Sequence, residues 1–319
     1  MGPLEAIRSF PLSPRPCYVG FSGGGDSLAL LVALVQCGWP VTAVHFNHQL
    51  RGEDALSDAR FCREFCKKHG IPFRCFRLDV TGARRTGESL ESAGRRLRLE
   101  MWSRLTRENG RVVFLAHHAG DVMEELFLRI LRGGGASGLV GLRPLRTLEN
   151  GVLLGRPLLE CRKEELEEFL RANGISKWCL DATNLQPVGS RNRIRNELLP
   201  WWREAFGTDQ GILATIHALR EDAEFLEEAA RNTLPEKPTI ADWRGVPPAL
   251  MPRVLREYFH LPLPPSAESV HRVLEELHRE HPGKNNLLIP LGKDITLVLN
   301  HKRGLILQER RKEEGGRRK

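Results

Sequence analysis

The sequence predicts an α/β protein: an open, parallel, five-stranded sheet with helices on both faces, followed by a smaller, mostly helical α+β domain. Three observations carry that expectation. Over the first two hundred residues, short apolar runs alternate with amphipathic stretches, the pattern of repeated βα units. The first such run feeds directly into a glycine-rich turn that opens a helix. From about residue 207 the alternation gives way to helical segments separated by Pro-rich joints, such as the stretch at 261–266. The expected domains are therefore 1–206 and 207–319.

Residues 17–21 read as the first strand, and 26–37, carrying Leu28, Leu30, Leu31, Leu34 and Val35, as a helix packed on the sheet. Residues 41–46 form the second strand and 54–69 an amphipathic helix. Residues 72–76 are the third strand, and 88–109 a long helix stopped by Gly110. The fourth strand is 111–115, followed by a helix over 121–131. Glycines 133–135 and 138 then break the pattern into a loop. Residues 152–154 are the fifth strand and 163–173 the fifth helix, ended by Gly174. Such parallel strands join by right-handed crossovers. In the second domain, helices over 210–232, 248–259 and 267–280 lead to strand-like runs at 286–289, 295–299 and 305–307. The charged tail is expected to fray.

With 319 residues and 41% hydrophobic content the chain can build two ordinary cores. No apolar run reaches the roughly 18–20 residues that span a bilayer. The first twenty residues lack the apolar core of a secretory signal, so the expectation is a soluble, cytoplasmic protein without a membrane. Seven scattered cysteines form no CxxC pair and no zinc spacing, which fits reduced core thiols. A formal charge of +8, with 38 Arg against 10 Lys, suggests a polyanionic partner. A skewed genome composition would give the same excess.

The turn Ser22-Gly23-Gly24-Gly25-Asp26-Ser27 carries the first functional reading. Glycines let backbone amides approach an anion without Cβ obstruction, two serines add hydroxyl donors, and the helix N-terminus adds partial positive charge. Asp26 beside phosphate makes sense when Mg2+ bridges the two. The loop has no lysine, so it is not the GxxxxGKS or GxxxxGKT phosphate loop, and Leu28 breaks GxGxxG. Farther along, Asp121 and Glu124 share one helix face just beyond the fourth strand, at the edge where open parallel sheets bind ligands. On residue types alone Asp121 reads either as a helix cap or as a ligand across from Asp26. Arg95 and Arg98, and again Arg191, Arg193 and Arg195, read either as solvated helix faces or as phosphate contacts.

The loop resembles the SGGxDS motif of the pyrophosphate-loop ATP pyrophosphatases, and five further segments resemble the tRNA(Ile)-lysidine synthetase family in order. His45-Phe46-Asn47-His48-Gln49-Leu50-Arg51 looks like its HxNHxLR segment. Glu91 to Arg98 is similar to its ExxARxxR helix, with Gly94 where Ala is usual. Ala116 to Glu124 resembles AHHxxDxxE, and Arg132 to Leu139 its RGxGxxGL loop. Trp178 to Asn184, with Arg191-Asn192-Arg193-Ile194-Arg195 and Leu199-Pro200, resembles WxxDxTN…RNxxR…LP. The match covers about residues 17–205. It departs at Gly120, where a first Asp is common, at Glu125 in place of Thr, and at Leu180 in place of an acid.

The resemblance implies an adenine-nucleotide α-hydrolase-like fold and a ligase. Its substrate would be the minor isoleucine tRNA with a CAU anticodon. ATP would adenylate the wobble cytidine, and L-lysine would then displace AMP to leave lysidine. It implies Asp26, Asp121 and Glu124 as catalytic residues, with Asp26 and Asp121 holding Mg2+. ATP would meet Ser22, Gly23, Gly24, Gly25, Asp26, Ser27, His48, Arg51, Arg95 and His117. The tRNA would meet Arg129, Arg132, Arg191, Asn192, Arg193 and Arg195, with the second domain holding its body; a homodimer is compatible. A tRNA thiolase would need the absent CxxC pairs, and a glutamine-dependent synthetase an absent Cys nucleophile. A catalytically dead RNA-binding scaffold would not need Asp26, Asp121 and Glu124.

Overall fold

The computed structural model describes residues 1–49, 53–107, 109–133, 136–148, 150–179, 190–261, 265–279, 287–290, 295–300 and 304–309. Its chain divides into two compact units, Met1–His217 and Ala218–Lys319.

In the first unit, β1 (Cys17–Gly20), β2 (Val41–Asn47), β3 (Phe73–Arg77), β4 (Val112–Phe114), β5 (Leu145–Thr147) and β6 (Leu153–Gly155) form one sheet in the order β3-β2-β1-β4-β6-β5. All neighbours are parallel except β5, which runs antiparallel to β6 at the edge. The sheet thus has six strands where five were expected. Strand β5 escapes sequence reading because Leu145-Arg146-Thr147 follows Pro144 and carries no apolar run. Such polarity suits an exposed edge, where a flat apolar strand would invite aggregation.

Helices α1 (Pro3–Arg8), α2 (Gly25–Gln36), α3 (Glu53–Lys68), α4 (Leu90–Thr106), α5 (Ala119–Ile130), α6 (Ala136–Leu139) and α7 (Lys163–Ala172) connect or flank these strands. Helix α2 is apolar almost all round: Leu28, Ala29, Leu30, Leu31, Ala33 and Leu34 are wholly buried with Cys17, Val19, Val112 and Phe114 of the sheet. A helix of that composition belongs between layers rather than at a surface. The unexpected α1 adds Ala6 and Ile7 to the same core. On the opposite face Tyr18, Val44, Trp102 and Val113 form a second cluster. Two covered faces explain why the central strands read as continuous apolar runs.

Beyond these lie α8 (Ser190–Arg193), a π-type turn over Ile194–Leu198, α9 (Leu199–Phe206) and α10 (Gln210–Arg231). Leu159, Ile194, Leu199, Ile212 and Ile216 pack against Val122, Met123 and Leu126 of α5. In the second unit, α11 (Ile240–Arg244), α12 (Met251–Tyr258) and α13 (Ala267–Leu277) accompany an antiparallel sheet of β7 (Leu287–Pro290), β8 (Ile295–Asn300) and β9 (Gly304–Glu309). Its core gathers Trp243, Met251, Leu255, Val273, Leu277, Ile289 and Leu297. Among the described residues no helix is long and apolar enough to cross a membrane.

Gly94 lies buried inside α4, and a Cβ there would meet only His48 Nδ1 at 3.7 Å, His48 Cε1 at 3.8 Å and Val80 Cγ2 at 3.8 Å. Those are ordinary contacts. Gly94→Ala should therefore stabilise the protein by about 0.5–1 kcal/mol, the usual gain in a helix interior. Thermal unfolding should show a higher Tm; a lower one would mean that helix α4 cannot accept the methyl group.

Candidate active site

The glycine turn follows β1 at the C-terminal edge of the sheet. Gly23 adopts φ +93°, a conformation that a side chain resists. Ser27 Oγ donates to Gly24 O at 2.9 Å and accepts from the Ser22 amide at 3.2 Å, which folds the turn back on itself. Helix α2 then begins after Gly24 with no side chain capping it. Helix geometry leaves the amides of Gly25, Asp26 and Ser27 without an upstream carbonyl. Trp178 and Cys179 lie against the turn. A Cβ on Gly25 would stand 3.2 Å from Trp178 Nε1, and the Cys179 amide donates to Gly23 O at 3.0 Å. A side chain at 25 would therefore press on the tryptophan ring.

The acids converge from α2 and α5. His118 caps α5: its Nδ1 accepts from the Gly120 amide at 3.0 Å, so in the neutral ring the proton sits on Nε2. That Nε2 lies 3.8 Å from Asp26 Oδ2 and 3.7 Å from Asp121 Oδ2. Asp121 also accepts from the His118 amide at 2.9 Å and faces Arg195 Nη2 at 3.4 Å. Burial works against its charge, but His118, His117, that amide and Arg195 together hold the carboxyl below its ordinary range. Asp26 goes the other way. Burial raises its pKa, nearby Asp121 adds to the rise, and His118 only partly offsets both. Its side chain is still 39% exposed, so it stands in a crowded but open cleft.

Residues 5–202, more than half of the chain, match the PP-loop domain. The chain belongs to the PP-loop family. It is also similar to the tRNA(Ile)-lysidine synthase of Clostridium perfringens, with 37% identity over 230 residues covering 68% of this chain and 47% of that protein. The tRNA(Ile)-lysidine synthase of Chromobacterium violaceum is 38% identical over 222 residues, covering 68% and 49%. This chain spans about half the length of the curated relatives it matches. Among solved structures, a U34-tRNA thiolase of Methanococcus maripaludis with its [4Fe-4S] cluster shares the fold at a TM-score of 0.55. The identity there is 16%, over 70% of this chain and 78% of that one.

Within the PP-loop domain, Ser22, Gly23, Gly24, Gly25, Asp26 and Ser27 all sit in the turn, with Asp121 beside them. Glu124 is different. It is 1% exposed and accepts from Arg191 Nε at 2.9 Å, Arg195 Nε at 2.5 Å and Arg195 Nη2 at 3.0 Å. Arg191 and Arg195, expected on RNA phosphates, thus hold this buried carboxylate. The π-type turn carries Arg195 to it, as such turns often do near functional sites. Glu124 anchors the segment rather than facing the cleft.

Arg129 donates to Glu125 at 2.7 Å and to Gly138 O at 2.5 Å, so it braces the loop after α5. Arg132 is exposed, and Arg193, at 69% side-chain exposure, faces Glu197 at 3.5 Å. Asn192 stands on α8 between Arg191 and Arg193. His48 packs beside Gly94, Arg95 is exposed on α4, and Arg51 with residues 180–184 lies outside the described residues. His117 is pushed down to about 4 by burial, with Arg156, Arg191 and Arg98 adding to the effect, so it is neutral at pH 7. Sequence reasoning passed over Arg156, whose signal was a charged residue placed immediately after an apolar strand. It also treated Gly120 as a departure. A Cβ there would stand 2.7 Å from His118 Cε1, so the bare position makes room for the His118 ring.

Asp26 and Asp121 are the carboxylates that could offer oxygen donors to a divalent cation here. Among the described residues no three His, Cys, Asp or Glu side chains are spaced to hold a metal alone. Such a pair suits an ion that takes its other ligands from phosphate and water, as Mg2+ does.

The two acids should respond oppositely to neutralisation. A raised folded pKa makes ionised Asp26 a cost, present above that pKa and gone once pH falls below the ordinary 3.8. A lowered folded pKa makes Asp121 a source of stability above 3.8, lost as pH falls through its folded value. At pH 7, Asp26→Asn should raise Tm of the ligand-free protein and Asp121→Asn lower it; shifts of the same sign would contradict the assignment. Glu124→Ala would strand two cations and should cost about 3 kcal/mol in urea denaturation. A loss under about 1 kcal/mol would show that water replaces the carboxylate.

Proposed function

We propose that this chain is an ATP-dependent ligase that joins L-lysine to the wobble cytidine of isoleucine tRNA bearing a CAU anticodon. One observation carries the reading: uncapped amides of a PP-loop and two carboxylates, Asp26 and Asp121, meet at the C-terminal edge of one parallel sheet. The names of the curated relatives supply the substrate class. Buried Cys62 and half-buried Cys179 have their thiols pushed well above the ordinary range, which disfavours sulfur chemistry by this chain.

The amides of Gly25, Asp26 and Ser27, with the hydroxyl of Ser22, would hold the phosphates and the charge that develops as pyrophosphate leaves. Asp26 and Asp121 would hold Mg2+, which neutralises the phosphate oxygens when bound. ATP would transfer AMP to the 2-carbonyl oxygen of the cytidine, breaking the bond between the α and β phosphates and releasing pyrophosphate. The ε-amine of lysine would then attack the activated ring carbon and release AMP. Asp121, kept ionised by its cationic neighbours, would be the fixed counter-charge that seats the incoming ammonium, which gives its proton to water before the amine attacks. Because that carboxyl is already ionised at neutral pH, ionisation of the amine sets how the rate rises toward alkaline pH. Trp178, lying over the turn, limits water at the loop. Exposed Arg132 and Arg193 supply phosphate contacts for the anticodon arm, whose wobble base must leave its stack to reach the cleft.

Purified protein with ATP, Mg2+, labelled lysine and unmodified isoleucine tRNA should place label on the RNA with one AMP per lysine. Asp26→Ala and Asp121→Ala should stay folded and lose at least about a hundredfold in adenylation, the scale of removing a charge-stabilising group. RNA binding without AMP release by the unmodified protein, or full turnover by either variant, would overturn the reading.

A further inference from the structure

Directly after β6, Arg156 is 6% exposed, and its side chain makes one hydrogen bond, from Nη1 to Arg143 O at 3.0 Å. Its Nε has no partner, and no carboxylate lies within ion-pair distance of it among the described residues. Its charged neighbours are mainly cations. Burial first, then Arg146 and Arg95, bring Arg156 down to about 10, with Glu125 alone acting in the opposite sense. Glu125 is itself committed to Arg129 at 2.7 Å. Burying a guanidinium without a counter-charge is costly, and a fold keeps such a group where an anion completes it.

Further features mark the same place. The pKa of Arg98, an exposed residue of α4, is lowered by burial and by Arg95, which stands three residues before it on the same helix face. His117, at the end of β4 and next to β6, has a buried Nδ1 with no partner, and both Arg156 and Arg98 act on it. Arg146 on β5 is exposed. Arg95, Arg98, Arg146 and Arg156 form no ion pair among the described residues. Four arginines without an ion-pair partner among the described residues thus gather near one end of β4 and β6, linked through His117 to Asp121.

We propose that this cluster is an oxyanion seat for a small substrate group, and that the group is the α-carboxylate of the amino acid. The proposal rests on the ligase reading above. The PP-loop amides already serve the nucleotide phosphates, and a guanidinium 6% exposed is out of reach of an RNA backbone ridge. The remaining anion in the reaction is the carboxylate, whose two oxygens match the planar fork of Arg156. Pyrophosphate offers the same chemistry and is the other source to be separated.

The test uses the whole chain and reads binding apart from turnover. Thermal shift should show stabilisation by L-lysine and none by L-lysinamide, which lacks the carboxylate. Arg156→Gln should weaken lysine binding about thirtyfold or more, as removing a buried charge partner does. It should raise KM for lysine while leaving KM for ATP unchanged. It should also raise Tm without ligand, because an uncompensated buried charge is gone; a merely structural arginine would lower it. Arg95→Gln, at an exposed position, should weaken lysine in the same direction and guards against misfolding of the first variant. If the protein transfers no lysine, the pyrophosphate arm still decides the seat: weaker pyrophosphate binding in both variants would keep the oxyanion site with phosphate as its ligand. Unchanged binding of lysine and of pyrophosphate in both variants would overturn the proposal.

Discussion

A helix that starts on bare glycine leaves amides pointing at nothing, and the first unit is organised around that deficit. Helix α2 is buried on nearly every side along its length, so the packed sheet fixes where its N-terminus lies. The strand before it fixes where those amides lie. Trp178 and Cys179 close over them from a distant part of the chain. An anion is the natural completion, and Asp26 on the first turn then needs a positive group between itself and that anion.

The second constraint is the buried carboxylate of Glu124. Two arginines from α8 and the following π-type turn neutralise it, and in doing so fix α5 to that segment. Helix α5 carries Asp121 one turn before Glu124, with His118 as its N-cap. A charge placed for structure thereby sets the position of a charge placed for chemistry. The same geometry drives the pKa values of the two aspartates apart: histidines, an amide and arginine outweigh burial at Asp121, whereas burial, with Asp121 adding to it, outweighs the nearby cations at Asp26. Pairs separated in this way are common where acids take distinct roles.

Local chemistry made the turn legible. Its glycines, serines and aspartate act through backbone conformation and hydrogen bonds within six residues, so residue types alone describe it. The strands were legible for a similar reason, since both faces of the central sheet are covered. What stayed hidden depends on distance. Nothing near Arg191 or Arg195 announces that Glu124, 67 and 71 positions away, is their partner. As short polar segments read like coil, β5 was lost, and the isolation of Arg156 is a property of what packs around it. The open space at Gly120 has meaning only once the His118 ring is in view.

A crystal structure with a non-hydrolysable ATP analogue and Mg2+ bears most directly on the central claim. The account predicts triphosphate oxygens on the amides of Gly25, Asp26 and Ser27, with the carboxylates of Asp26 and Asp121 turned toward the same ion. A nucleotide seated away from the turn, or Asp121 facing away from it, would contradict the account.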